Sequence, residues 1–115
     1  MKTKEYFKDS ELACKCGCGA MPEEIAVERL YALRLIYRNP IRITSGKRCS
    51  DHNANIGGSK HSKHVAGIAF DCVVPKIDEL NFICLAKLCG FNGVGFKDNI
   101  FVHIDARSTD AMWGY

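Results

Sequence analysis

Residues Ser62 to Val74 read SKHVAGIAFDCVV, and this stretch decides how the rest of the chain is read. From Ile68 onward it is a strand: Ile68, Phe70, Cys72 and Val74 fall on one face, and Ala69, Asp71 and Val73 on the other. Asp71 is the odd residue. A carboxylate between Ala69 and Val73 on an otherwise apolar strand is costly unless it is paired or bound to a metal. His64 closes the segment before the strand, and the small residues Ala66, Gly67 and Ala69 let backbone pass close to a site. Upstream, Ser50 to Gly67 has neither helical nor strand period and carries His52, His61 and His64, so it reads as one long loop. Loops of that length in compact domains are uncommon and tend to be functional.

Working outward, Pro22, Glu23 and Glu24 suit a helix start. Ala26, Leu30, Leu33 and Tyr37 continue as a helical stripe until Asn39-Pro40 stops it. Ile41 to Thr44 alternates as a short strand before the Ser45-Gly46 turn. A second helix is predicted over Ile77 to Leu88, with Leu80, Cys84 and Leu88 as its stripe and Gly90 just past its end. Gly93 to Phe96 and Ile100 to Asp105 read as two strands joined by Lys97-Asp98-Asn99. The second places Phe101, His103 and Asp105 on one face and Ile100, Val102 and Ile104 on the other.

The chain has 115 residues, 47% hydrophobic and 25% charged, with 16 Lys+Arg against 13 Asp+Glu for a formal charge of +3. No repeat, linker or composition shift divides it, so residues 1–115 read as one globular domain. A domain of this size buries roughly two thirds of its unfolded surface. Its core therefore needs no metal or disulfide, and a bound metal is expected to be functional. No apolar run approaches the ~20 residues of a bilayer span, and Met1 to Lys8 has no apolar signal region. The basic residues are too few and too scattered for a nucleic-acid stripe. The expectation is a chain made in a reducing compartment, without membrane or nucleic-acid partners.

Seven cysteines cannot all pair within one chain. Cys14, Cys16 and Cys18 crowd the segment ACKCGCG, with Cys49 apart, in a C-x-C-x-C spacing that is not the usual zinc knuckle. Structural thiols, reduced or partly disulfide-linked, a disulfide to Cys49, and a metal site all remain open. Cys72, Cys84 and Cys89 lie in apolar stretches and read as small core residues.

His64, Asp71 and His103 together make two imidazoles and one carboxylate, a donor set suited to a catalytic zinc that keeps one position open for water. The plain alternatives are surface hydrogen bonding for each histidine and a turn or cap for the aspartate.

The motif S-x-H-x-x-G-x-A-x-D at Ser62 to Asp71 is preceded by Ile43-Thr-Ser-Gly-Lys-Arg48-Cys and His52-Asn. It is followed by Gly93-Val-Gly-Phe96 and Phe101-Val-His-Ile-Asp105. In this order the motifs resemble the zinc D-alanyl-D-alanine carboxypeptidase family, particularly its short, phage-type, single-domain members, over about Glu11 to Asp105. The resemblance implies an α+β, hedgehog-like fold, an antiparallel β-sheet flanked by helices, with His64, Asp71 and His103 as ligands of one Zn2+. It also implies that Arg48 grips the carboxylate of a peptide substrate, as a planar guanidinium can do bidentately. Lys47 stands where relatives usually carry an aromatic residue.

The activity so implied is hydrolysis of D-alanine-containing peptidoglycan stem peptides by metal-activated water, as carboxypeptidase or cross-link endopeptidase. A carboxylate must then move the proton. Some relatives place a Glu three residues before the final histidine, but here that residue is Ile100. Asp105 is the first candidate and Asp98 the second. Asp105 also suits fixing the His103 imidazole, or ligation itself with His103 stabilising the transition state. Ser62 is a candidate substrate contact or a loop-turn residue, His61 and His52 are rim residues or else contacts of substrate or metal, and Trp113 and Tyr115 form a hydrophobic anchor or else line the cleft. Synthesis in the cytoplasm followed by release to the cell wall would suit a phage lysis enzyme. Two other readings stand: a non-catalytic hedgehog-like module that binds wall fragments or protein, and an interaction domain built on a cysteine zinc site.

Overall fold

The computed structural model describes residues 6–98 and 100–115. The reading of the first residues as no export signal therefore falls mostly outside the described residues, as does Asn99 of the predicted turn. Among the described residues no helix is long and apolar enough to cross a membrane.

Four helices and five strands follow one another as α1 (Asp9–Leu12), α2 (Glu24–Tyr37), β1 (Arg42–Ser45), α3 (Ser50–Asn55), β2 (Ala69–Val73), α4 (Glu79–Leu88), β3 (Gly93–Lys97), β4 (Phe101–Asp105) and β5 (Ala111–Gly114), with a 3-10 turn at Lys76–Asp78 leading into α4. The strands form one sheet in the order β1-β2-β4-β3-β5. β1, β2, β4 and β3 pair antiparallel, whereas β5 runs parallel to β3. This is the expected α+β fold, a sheet flanked by helices, with one parallel edge strand added.

One sheet face makes the core. Phe70, Cys72, Val94, Val102 and Ile104 pack against Ala26, Leu30, Leu33 and Tyr37 of α2 and Phe82 and Ala86 of α4. The α2 stripe is the predicted one. α2 ends with Arg38 in the left-handed region (φ 67°), and Gly90, past α4, takes φ 93°, a conformation glycine adopts without steric cost.

Three expectations change. The segment from Ser50 is not all loop, because α3 forms there, with the Cys49 sulfur accepting the His52 N–H. The predicted stripe of the second helix faces outward: Leu80 and Leu88 are 74% and 79% exposed, and Cys84 is exposed too. Apolar residues at helical spacing occur on both sides of α4, and the side holding Phe82 and Ala86 is the one that meets the sheet. Finally, Trp113 is not a loose anchor but part of a strand.

Candidate metal centre

β2 and β4 place the site on the sheet face opposite the helices. In register, Asp71 lies directly across from His103, and Ala69 across from Asp105, so period-two alternation brings Asp71, His103 and Asp105 to one face. His64 reaches the same point from the loop, where the Ser62 hydroxyl accepts its backbone N–H at 3.2 Å. All three residues of the set are buried.

The imidazole tautomers follow from their outer partners. His64 Nδ1 lies 2.8 Å from the Gly46 carbonyl, which can only accept, so Nδ1 carries the proton and Nε2 presents its lone pair. His103 Nε2 lies 2.8 Å from Asp105 Oδ2, so Nε2 donates there and Nδ1 presents its lone pair. Both lone pairs point at one oxygen: Asp71 Oδ1 is 3.2 Å from His64 Nε2 and 3.1 Å from His103 Nδ1. Three acceptors converging on one point repel unless protons or a cation lie among them. Donor atoms held about 2.1 Å from a tetrahedral zinc are about 3.4 Å apart, close to the spacing seen. The donor set therefore fits a divalent ion, and carbonyl and carboxylate partners behind each imidazole are the usual support of such ligands.

The electrostatics agree. Where protons rather than a cation sit on the inward nitrogens, burial alone would raise the Asp71 pKa, but the hydrogen bonds that His103 and His64 then donate outweigh it and hold the carboxyl well below the usual range. Burial opposes charge on His103 as well, yet Asp105 and Asp71 raise its pKa.

The three residues line a cavity of about 410 Å³ together with Arg48, Ser59, His61, Ser62, Lys63, Phe101, Arg107, Trp113 and Tyr115. A sequence model of the Peptidase M15 family matches residues 5–105, a span that holds β2, β4 and the loop bearing His64 but stops short of β5. The chain belongs to the Peptidase M15 family. M15 peptidases are zinc-dependent metallopeptidases, and the His64, Asp71 and His103 group is one that can hold their metal. Among curated proteins, none matches the chain.

Within this M15 fold the other expected residues separate. Arg48 reaches the cavity, its Nη2 3.8 Å from Asp71 Oδ2 and its Nη1 donating to Asn53 Oδ1 at 3.0 Å. Its buried Nε has no partner among the described residues. Lys47, standing where an aromatic was expected, donates from Nζ to the Val65 carbonyl at 2.7 Å and ties the loop down. Ser62 both lines the cavity and caps the turn before His64.

Neither expected proton carrier is free in the cavity. Asp105 is fully buried and its oxygens are committed: Oδ1 accepts from Arg107 Nε at 2.7 Å, and Oδ2 from Arg107 Nη2 and His103 Nε2, each at 2.8 Å. Burial would raise its pKa, but Arg107 and then His103 hold it well below the carboxylate range. Such a group does not exchange protons readily, and its place behind His103 is that of a residue fixing the imidazole. Asp98 sits on the β3–β4 turn, 3.5 Å from Lys76 Nζ and 74% exposed, and is not among the cavity residues. His52 lies on α3, also away from the cavity wall.

The sequence reading missed Asn53, Arg107 and the strand β5, which brings Trp113 to the wall as the second of the two readings given for it. The signal for that wall is the pair of glycines in Gly93-Val-Gly95. A Cβ at Gly93 would collide with the Asp105–Arg107 pair, and one at Gly95 with the Trp113 indole. Trp113 thus lies across β3, its ring centroid 5.3 Å from that of His103, with the Arg107 guanidinium 4.8 Å above it.

Proposed function

We propose that this protein is a zinc peptidase that hydrolyses D-alanine-containing stem peptides of peptidoglycan, as carboxypeptidase or cross-link endopeptidase, with His64, Asp71 and His103 holding the ion. The observation that carries the reading is the convergence of two imidazole lone pairs and a carboxylate oxygen at the floor of a cavity whose wall bears Arg48. Zinc held by His64, Asp71 and His103 would supply a water of lowered pKa and polarisation of the scissile carbonyl.

The chain's own residues supply the rest. Arg48, held by Asn53 and with Nε unpaired, is placed to donate to a peptide carboxylate. Lys63 and Arg107 add positive charge around Asp71, which suits a substrate carrying a carboxylate. Phe101, Trp113 and Tyr115 give the peptide an apolar wall. With Asp105 committed and Asp98 outside, His61 is the remaining cavity group of the type that general acid–base catalysis uses most. We assign proton transfer to it.

One observation favours a second reading, a zinc module that binds wall peptides without cutting them: among the described residues, no carboxylate on the cavity wall is free of the metal group. Product masses from purified peptidoglycan separate the two. Cleavage that releases a terminal D-alanine or parts a cross-linked dimer, and that disappears in His64→Ala together with the zinc held by the His64, Asp71 and His103 group, supports the peptidase; wall-fragment binding without cleavage by zinc-loaded protein overturns it. His61→Ala is expected to lower kcat about 100-fold or more, the usual worth of a positioned acid–base group, with partial rescue by added imidazole. Unchanged kcat would remove His61 from the mechanism.

A further inference from the structure

The cysteines form a second centre. All seven thiols are free, and four of them, Cys14, Cys16, Cys18 and Cys49, bring their sulfurs within 4.8 Å of one another. The first three come from one tight ribbon. Gly17 and Gly19 both take φ 85°, a conformation open to glycine at no steric cost, so alternate residues of C-K-C-G-C-G can curl their sulfurs to one side. The Cys14 N–H bonds the Ala20 carbonyl at 2.9 Å and closes the ribbon. Cys49 approaches from the start of α3, and its backbone N–H donates to Cys14 Sγ at 3.3 Å while its own sulfur accepts the His52 N–H at 3.4 Å.

The spacing separates a metal from a disulfide. Sulfurs bound about 2.3 Å from a tetrahedral zinc are about 3.8 Å apart, whereas bonded sulfurs are about 2.05 Å apart. Cys14 and Cys16 are 3.4 Å apart, and Cys16 and Cys49 3.7 Å.

We propose that Cys14, Cys16, Cys18 and Cys49 form a tetrathiolate site for a structural zinc ion, separate from the His64, Asp71 and His103 group. Soft thiolates select zinc over the hard divalent cations. On binding, the four sulfurs coordinate as thiolates, the protons still on them pass to solvent, and the metal keeps its oxidation state.

The ion's work is local, because a domain of this size builds its core without help. It clips residues 14–18 to the segment after β1, from which His64 of the other site is held. Gly46 supplies the carbonyl to His64 Nδ1, the Lys47 N–H bonds the Leu12 carbonyl at 2.9 Å, and the Arg48 N–H bonds the His64 carbonyl at 3.1 Å. A Cβ at Gly46 would strike the Leu12 backbone, so the two segments already touch.

Metal counting on reduced full-length protein tests the site. Wild type is expected to hold two zinc ions, His64→Ala one, and Cys16→Ser/Cys18→Ser one; both cysteines are exposed, so the substitution removes no core packing. Cobalt-loaded His64→Ala should show the intense thiolate-to-cobalt charge-transfer absorption of a tetrahedral sulfur site, and that band should vanish when the two serines are added. Should the serine variant misfold, the cobalt spectrum of His64→Ala decides alone. Absence of that band overturns the proposal, as does a non-reduced wild-type mass showing the hydrogen loss of disulfides among these cysteines. Because the two ions are counted in separate variants, failure here leaves the peptidase reading standing.

Discussion

Asp105 touches His103 and Arg107 and is absent from the cavity lining, so we propose that it works by holding the His103 imidazole. Its two oxygens, themselves fully buried, meet the His103 imidazole and the Arg107 guanidinium. Asn at this position keeps the shape but removes the charge that fixes the imidazole tautomer, and leaves Arg107 without its partner. Asp105→Asn is expected to weaken zinc binding about 10- to 100-fold, the usual effect of losing such a supporting group. It should also cost about 3 kcal/mol of stability, the low end for breaking a buried pair, since Arg107 is partly exposed. Asp98→Asn, changing a solvated turn residue, should leave zinc affinity and turnover at wild-type levels. Calorimetric titration of metal-free protein with zinc checks both; equal affinity for the Asp105→Asn variant and wild type would remove the positioning role.

At the scale of elements, α2 is tied to the turn before α4 by the Tyr37 hydroxyl, which donates to Asp78 Oδ2 at 2.8 Å. Burial, and then the Asp78 carboxylate, push the Tyr37 pKa up to about 12. For a group raised above its unfolded value of about 10, the stabilisation is fully present below pH 10 and is lost as pH rises through about 12. Wild type should therefore lose melting temperature more steeply than Tyr37→Phe between these values. At neutral pH Tyr37→Phe should cost about 1 kcal/mol, because Asp78 is half-buried and water can replace the lost donor. Parallel melting curves at each pH test this, and identical slopes would count against it. The same elements show what a sequence can convey. β2 and β4 were legible because alternation is local, and Asp71 and His103 stood out as polar residues on apolar strands. The inner side of α4 was not legible, since Leu80, Cys84 and Leu88 keep helical spacing as well as Phe82 and Ala86 do, and only the sheet chooses between them. β5 is four residues long, too short to show a period, and its trace was the missing side chain at Gly95. The role of Asp105 was open for a different reason: its partner Arg107 is set by the turn after β4, which no periodicity describes.

Across the whole molecule, the ion-binding group exists only when the chain is folded. His64 and Asp71 are 7 residues apart and Asp71 and His103 32, so an unfolded chain does not hold them together, and binding free energy becomes folding free energy. The cleanest measurement uses a Cys14→Ser/Cys16→Ser/Cys18→Ser background, which leaves His64, Asp71 and His103 as the one group of metal-holding side chains among the described residues. At a free zinc concentration 100 times Kd, linkage adds about 2.7 kcal/mol to stability, which for a domain of this length raises Tm by roughly 10 °C. The rise should grow by a constant increment for each tenfold step in zinc and disappear on chelation. Adding His64→Ala to the same background should abolish it, because that substitution removes one of three donors and leaves the Asp71 carboxylate facing a single imidazole. A zinc-dependent Tm that survives His64→Ala in this background would place the ion elsewhere and detach the cavity from the chemistry assigned to it.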